Sequence, residues 1–458
     1  MKKVFLFFTL FTFPFLMSAQ TVSERIRKSF GRFMADSQLK HAAVSLYVID
    51  AKTGQPVFDV NSQLGLAPAS TQKIITSVTA FELLGKDYRF KTVFSGDSNR
   101  LFVSGFGDPS FGSWRYNQTK ESNLFPEIIK GLRKSGLYST KEIIIYANDL
   151  DKIVPGGWIN DDIGNYYGAG AQLFNWNENQ YDLILLPGLN VGDQAKIDTT
   201  TTREWWNYIN DCRTGAPGSG DNAYIYFIPG SSFQIIKGTV PAGEKRFKIS
   251  GADASPYKSF LESFLPNAAK AGFYKGAIDR YMHAPWARED AAVVKNALYT
   301  HYSPTLDSII YWFNRKSINL YGEALIKTMA LEKAGFASTD TGVSILRRFW
   351  KQKGLDPEEL NMYDGSGLSP LNRVTTHAQV EILKYARSKS WFPAFYEALP
   401  EYNGMKMKSG TISDVKGYCG YHKAKDGREY IFSFLINNYS GKTAPVVSKM
   451  FKVLDELK

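Results

Sequence analysis

The sequence predicts an α/β protein whose main domain, residues 20–90 with 293–458, is interrupted by a large β-rich insertion at residues 91–292. Three observations carry this. Before residue 90, helical periodicity and strand alternation follow one another closely. The middle of the chain then changes to short strands, many aromatics and loop signals such as Gly215-Ala216-Pro217-Gly218-Ser219-Gly220. Helical periodicity returns at Leu306, Ile309, Ile310 and Phe313. A connection of that length is not structureless, so the middle is expected to be inserted domains, two of them nested.

The elements follow in order. Met1-Lys2-Lys3, the apolar run Val4 to Met17 and the small pair Ser18-Ala19 have the three regions of a secretory signal peptide, assigned to residues 1–19 and cleaved near Ala19 or Gln20. The run is shorter than the ~20 residues that span a bilayer, and no cysteine is near to take a lipid. No second long apolar run follows, so no transmembrane anchor is expected after cleavage. Thr21 to Lys40 is helical in pattern, and His41 to Asp50 alternates through Val44, Leu46 and Val48 as a half-buried strand. Lys52-Thr53-Gly54 turns the chain into Val57-Phe58-Asp59. Pro68-Ala69-Ser70 opens a helix marked by Ile74, Val78 and Phe81 and ended by Gly85. In the insertion, Phe125 to Lys134 reads as a helix, and Ile143 to Tyr146 and Gln180 to Leu186 as strands. Asp364 to Pro370 is a long turn, Thr376 to Ala386 a helix, Gly417 to His422 and Tyr430 to Ile436 strands, and Val446 to Leu457 an amphipathic helix.

Composition limits the partners. The formal charge of +11 includes Lys2 and Lys3, and suits either an anionic polymer such as cell wall or simply a soluble basic surface. The lysines are dispersed and no nucleic-acid motif is present. Cys212 and Cys419 are too few and too far apart for a disulfide framework, and are expected to pack as small apolar residues. Of the five histidines, His41, His283, His301, His377 and His422, none stands at metal-ligand spacing or in a Gly-x-Ser-x-Gly context, so they are expected to be surface or satisfied core residues.

Three short clusters carry chemistry. Ser70-Thr71-Gln72-Lys73 places a hydroxyl and an amine one helical turn apart, and a serine needs such a base to become nucleophilic at neutral pH. Burial and a second cation, Lys408, are the available means of lowering the Lys73 pKa. Ser70 at a helix N-terminus also meets free backbone N–H groups that favour negative charge. Ser317-Ile318-Asn319 offers a hydroxyl to relay a proton to the leaving amine and an amide to orient a substrate carbonyl and hold Lys73. Lys408-Ser409-Gly410-Thr411 reads as an edge strand. There Gly410 leaves room for a substrate backbone, the hydroxyls of Ser409 and Thr411 can bind a carboxylate, and Lys408 supplies positive potential. The N–H groups of Ser70 and Thr411 would form the oxyanion hole. Taken alone, Ser-x-x-Lys is more simply read as a serine capping a helix whose lysine faces water, and the Ser317 cluster too has capping as its plainer reading. In this order, Ser-x-x-Lys, Ser-x-Asn and Lys-Ser/Thr-Gly are the arrangement of active-site serine enzymes acting on D-alanyl peptides or β-lactams.

With these clusters the chain resembles the D-alanyl-D-alanine carboxypeptidase/endopeptidase family, the class C low-molecular-mass penicillin-binding proteins. Gly105-Phe106-Gly107-Asp108-Pro109, Gly157-Trp158 with Asp161-Asp162 and Tyr167-Gly168-Ala169, Lys316 to Glu323, and Asp364 to Ser369 are similar to further family segments. The resemblance implies a transpeptidase/β-lactamase-like core, an antiparallel sheet between helical clusters. It also implies a periplasmic enzyme that removes the terminal D-alanine of peptidoglycan stem peptides or cuts the D-alanyl cross-link, with no metal or cofactor, through an acyl-enzyme on Ser70 that penicillins also form. Two departures are visible: Ser409 stands where the family has threonine, and the segment between Leu399-Pro400 and Lys408 is short. Asp356 to Asn361 looks like the deacylating loop of class A β-lactamases, but Pro357 occupies the glutamate position, which points to a loop or helix start. A β-lactamase on the same scaffold, and a wall-binding protein without turnover, are the alternative readings.

Overall fold

A computed structural model of the chain describes residues 21–146, 152–201, 207–227, 233–282 and 296–458. The signal segment and His283 lie outside the described residues. Among the described residues, no helix is long and apolar enough to cross a membrane.

One half of the fold is built on a six-stranded antiparallel sheet ordered Glu401–Tyr402, Met405–Ile412, Val415–Lys423, Glu429–Asn437, Ala43–Asp50, Pro56–Val60. An N-terminal strand thus pairs with the last one, Ala43 opposite Asn437 through Asp50 opposite Tyr430. Alternation had suggested a strand with one wet face. Instead every interior residue of Ala43–Asp50 is buried. Val44, Leu46 and Val48 enter a core made with helices Val22–Met34 and Thr443–Leu454, while Tyr47 and Ile49 enter a second core on the other face. The polar residue on that second face, Ser45, is satisfied by the Asn61 carbonyl and the Thr376 hydroxyl, which is how a buried sheet tolerates it.

The second core belongs to the helical layer over the sheet. Helix Lys73–Leu84 is buried on all sides from Lys73 to Phe81, and helix Asn319–Ala334 from Asn319 to Ala330. Both run through the middle of the layer, among Leu306–Arg315, Thr339–Gln352 and Thr376–Arg387. The two helices that carry the short motifs therefore lie where water is excluded.

The insertion has its own cores. A five-stranded sheet is ordered Tyr274–Met282, Thr140–Tyr146, Arg100–Gly105, Lys91–Gly96, Ala297–Tyr302. Its last strand lies beyond residue 292, paired with Lys91–Gly96. Helices Glu121–Lys134 and Pro256–Lys270 cover this sheet around Phe111, Phe125, Trp176, Phe260 and Phe264. Between Tyr146 and Tyr274 in sequence lie two three-stranded sheets, Phe247–Ala252 with Gln180–Leu186 and Lys196–Thr200, and Asn207–Gly215 with Phe233–Pro241 and Asn222–Phe227. They share a core of Tyr181, Leu183, Leu185, Cys212, Ile225 and Ile236. Cys212 and Cys419 are both buried and free, packed as the sequence suggested.

Candidate active site

Ala69–Gln72 forms a single 3-10 turn that runs directly into helix Lys73–Leu84, which sets Ser70 at the entrance of the helix. Two glycines press on this turn. A Cβ on Gly410 would stand 2.6 Å from the Pro68 carbonyl oxygen and 2.8 Å from Thr71 N. One on Gly367, at φ +83°, would stand 2.0 Å from the Ala69 carbonyl oxygen. The space at Gly410, read from sequence as room for substrate, is therefore filled by the nucleophile turn itself. What the glycine achieves is a close approach of strand Met405–Ile412 to Ser70. The outer edge of that strand remains open, because Glu401–Tyr402 pairs only with Lys406 and Met405. From Lys408 onward no strand among the described residues pairs with this edge, although the Ser409 carbonyl accepts from the Lys408 amine.

The Lys73 amine makes three contacts: 2.9 Å to Ser70 Oγ, 2.6 Å to Asn319 Oδ1 and 2.7 Å to the Ser366 carbonyl. Asn319 donates its own Nδ2 to the Tyr167 carbonyl at 2.8 Å, which fixes the amide with its oxygen towards Lys73. Two of the three partners can only accept. A neutral amine has two N–H bonds and one lone pair, so when both N–H bonds are spent on Asn319 and Ser366 the lone pair faces the Ser70 hydroxyl. Complete burial, reinforced by the positive charge of Lys408, holds Lys73 well below the usual lysine range, against the opposing pull of Asp364 and Glu323.

Lys408 is 1% exposed, and its amine donates to Ser317 Oγ at 3.0 Å and the Ser409 carbonyl at 2.9 Å. Burial pushes it down to about 7. Ser317 sits at φ +57°, a left-handed conformation that a side chain pays for and that points its hydroxyl between the two lysines' motifs. Thr411 Oγ1 accepts from Lys416 at 2.7 Å, a cation that sequence reading did not single out. Burial pushes Lys416 down to about 8.

Behind the motifs lies a polar knot. The buried Asp364 carboxylate accepts from Gln72 Nε2, Asn372 Nδ2 and Gly367 N on one oxygen, and from Trp158 Nε1 and Ser369 N on the other. Five donors satisfy the buried carboxyl group on both oxygens. Thr76 Oγ1 donates to the Gly365 carbonyl, and Glu323 receives Gly365 N on both oxygens. Burial, with the charge of Asp364, pushes Glu323 up to about 8. Together these groups aim the Ser366 carbonyl at Lys73. The segments were noticed as family-like, but their supporting role depends on long-range contacts that spacing does not reveal.

Ser70, Ser317, Asn319 and Thr411 line a cleft of about 430 Å³, opposite Asp161, Asp162, Tyr167 and Tyr224 of the insertion. Lys408 and Ser409 are not in its wall; Lys408 meets the cleft through Ser317. Tyr224 was missed altogether. The short segment before Lys408 is a two-residue turn, Asn403-Gly404, both at positive φ, joining Glu401–Tyr402 to Met405. Asn-Gly was the signal that could have found it. At the decoy, Pro357–Glu359 is one 3-10 turn, and Glu359 receives Thr375 Oγ1 and His377 Nδ1 far from Ser70's partners. It has the loop role expected.

A serine hydroxyl against a buried lysine amine, a second buried lysine on a strand and a flanking Ser-x-Asn turn are the arrangement of a serine D,D-peptidase of the penicillin-binding class. The comparisons agree: a model of the D-Ala-D-Ala carboxypeptidase 3 (S13) family matches residues 26–401. The chain belongs to that family, and acts on the D-alanyl termini of peptidoglycan. It is 24% identical to a D-alanyl-D-alanine carboxypeptidase of Actinomadura sp., over 91% of this chain and 81% of that one. Its fold is that of penicillin binding protein 4 from Haemophilus influenzae, with a TM-score of 0.77 and 19% identity over 96% of this chain and 99% of the other. The same Haemophilus protein in complex with a β-lactam superposes with a TM-score of 0.73, at 17% identity over 96% and 99% of the two chains.

Proposed function

We propose that Ser70 is the acylated nucleophile and Lys73 its general base. The observation that carries this is the Lys73 amine itself, buried, held by two obligate acceptors and 2.9 Å from Ser70 Oγ. In acylation, Ser70 Oγ attacks the carbonyl of the penultimate D-alanine as its proton passes to Lys73. The oxyanion is received by the N–H groups of Ser70 and Thr411; as the C–N bond breaks, Ser317 gives its hydroxyl proton to the leaving amine and takes up the proton held by Lys73, which leaves Lys73 neutral for the second step. Asn319 orients both Lys73 and the substrate amide. Lys408, through Ser317 and together with the hydroxyl of Thr411, supplies the field that receives the terminal carboxylate. Water then hydrolyses the ester by the same base. The leaving amine is free D-alanine in carboxypeptidase action and a cross-linked stem in endopeptidase action.

The same reading makes the protein periplasmic, exported by residues 1–19, with residues 20–90 and 293–458 as the catalytic unit around the insertion of residues 91–292. The test of the site is intact-mass spectrometry after incubation with benzylpenicillin. A single lasting adduct is expected on the wild type and none on Ser70→Ala; an adduct on both proteins would remove Ser70 from the mechanism.

A further inference from the structure

We propose that Glu178 is a positioning residue for acylation: a buried carboxylate of the insertion that grips the two helices on either side of the Ser317-Ile318-Asn319 turn. This rests on the roles assigned above to Ser317 and Asn319.

Glu178 is 3% exposed, and one of its oxygens, Oε1, receives Ser113 Oγ at 2.7 Å, Arg115 Nε at 2.8 Å and Tyr321 Oη at 2.8 Å. Tyr321 is the third residue of the helix that begins at Asn319. Arg115 lies over the Trp312 ring at 5.6 Å, and the adjacent Tyr116 Oη donates to the Ser308 carbonyl at 3.3 Å. Both of those belong to helix Leu306–Arg315. Only Lys316, Ser317 and Ile318 separate the two helices. One carboxylate and its arginine therefore tie down both ends of the turn that carries the Ser-x-Asn motif.

The backbone around Glu178 is built for this. Asn177, Glu178 and Asn179 stand at φ +51°, +55° and +48°, three successive non-glycine residues in the left-handed region. Such strain persists only where the surroundings over-determine it. Here Asn177 N donates to the Phe111 carbonyl, Trp176 N donates to Asn179 Oδ1, and Asn179 Nδ2 donates to Gly170 O and Asn175 Oδ1. The strained turn serves no cleft contact, since Glu178 does not line the cleft. It aims the carboxylate at Tyr321. Ser317 is itself at positive φ, so the turn it occupies relaxes unless its flanks are fixed. Misplacement by about 1 Å costs on the order of 100-fold in rate.

The test uses the full mature chain and the rate of benzylpenicillin acylation per folded molecule, with the melting temperature measured alongside. Tyr321→Phe keeps the ring and removes one bond to the carboxylate; Glu178→Gln keeps the shape and removes the charge. Both are expected to acylate more slowly by on the order of tenfold, the worth of a hydrogen bond to a buried charge. In an Asn319→Ala background the same substitutions should have a smaller further effect, because part of their action runs through that residue. A lowered melting temperature with an unchanged acylation rate in Tyr321→Phe would overturn the proposal, as would full additivity with Asn319→Ala. Should Glu178→Gln fail to fold, Tyr321→Phe alone decides. Were Asn319→Ala itself to acylate at the wild-type rate, the site assignment would fall and the clamp with it.

Discussion

Replacing Lys408 by methionine should make this protein more stable and less active, and the size of the gain should depend on pH. The amine is buried, with Ser317 Oγ and the Ser409 carbonyl as its hydrogen-bond acceptors, and burial takes it from 10.5 to about 7. At about 1.36 kcal/mol per pH unit this interval corresponds to a folded-state cost of up to about 5 kcal/mol. The sign follows from proton counting: with the folded pKa lowered, the unfolded chain binds more protons between about 7 and 10.5, so stability rises with pH across that window. The cost is absent above 10.5 and complete below about 7. Methionine fills similar space but leaves Ser317 Oγ without its donor, a loss of roughly 1–3 kcal/mol. A net gain of about 2 kcal/mol or more is thus expected at pH 7, shrinking by about 3 kcal/mol at pH 9.5. Urea denaturation followed by tryptophan fluorescence at the two pH values measures both quantities, and groups common to the two proteins cancel in the difference. Acylation by benzylpenicillin should fall on the order of 100-fold, as when one preorganised charge is removed from such a site. A Lys408→Met protein less stable than wild type at pH 7, or a stability gap that does not move with pH, would refute the assignment of Lys408 as a destabilising buried cation kept for function.

The pH profile of kcat/KM on a D-alanyl-D-alanine peptide should be bell-shaped. Its acid limb reports protonation of Lys73, which burial and the charge of Lys408 hold well below the usual lysine range, and its alkaline limb reports loss of charge on Lys408 from about 7 upward. Lys408→Arg should abolish the alkaline limb, because guanidinium does not titrate in this range, and an unchanged limb would exclude Lys408 as its source. Gly367→Ala should cost several kcal/mol, on the order of 3 or more, since the methyl would meet the Ala69 carbonyl at 2.0 Å from a backbone at φ +83°. Calorimetry checks this, and a loss below about 1 kcal/mol would mean that the nucleophile turn yields easily.

Much of the fold was legible because local patterns and turns agreed with it. The strand from Ala43 to Asp50 and its return at Pro56–Val60 were placed by alternation and by Lys52-Thr53-Gly54. Helices Lys73–Leu84 and Thr376–Arg387 were placed by periodicity. Alternation nevertheless misjudged the burial of Ala43–Asp50, since a strand covered by helices on both faces carries two interleaved apolar sets and only one was counted. Helix Pro256–Lys270 was not foreseen: it begins at a proline and carries Pro266 in its second half, so its punctuation reads as loop. The pairing of Ala297–Tyr302 with Lys91–Gly96 joins segments about two hundred residues apart in the numbering, and no local signal encodes such a partnership.

In the site, the sequence named the groups but not what makes them reactive. Lys73 meets Ser70 and Asn319 at hydrogen-bond distance, Lys408 meets Ser317, and the order of these residues along the chain was enough to suspect that they share one site. A lysine on a helix is, by itself, a solvated cation. In the proposed mechanism Lys73 becomes a base because Ser366 and Asn319 occupy its two N–H bonds, and because Tyr167 prevents the Asn319 amide from turning round. Of these, Tyr167 comes from the insertion, and Ser366 is aimed by Asp364, whose carboxylate is in turn closed by Trp158 of the insertion. If the insertion only decorated the core, its removal would leave Lys73 with the same partners. Instead it would free the Asn319 amide and leave the Asp364 carboxylate one donor short, so the Ser-x-x-Lys motif needs residues of the insertion to be chemically competent.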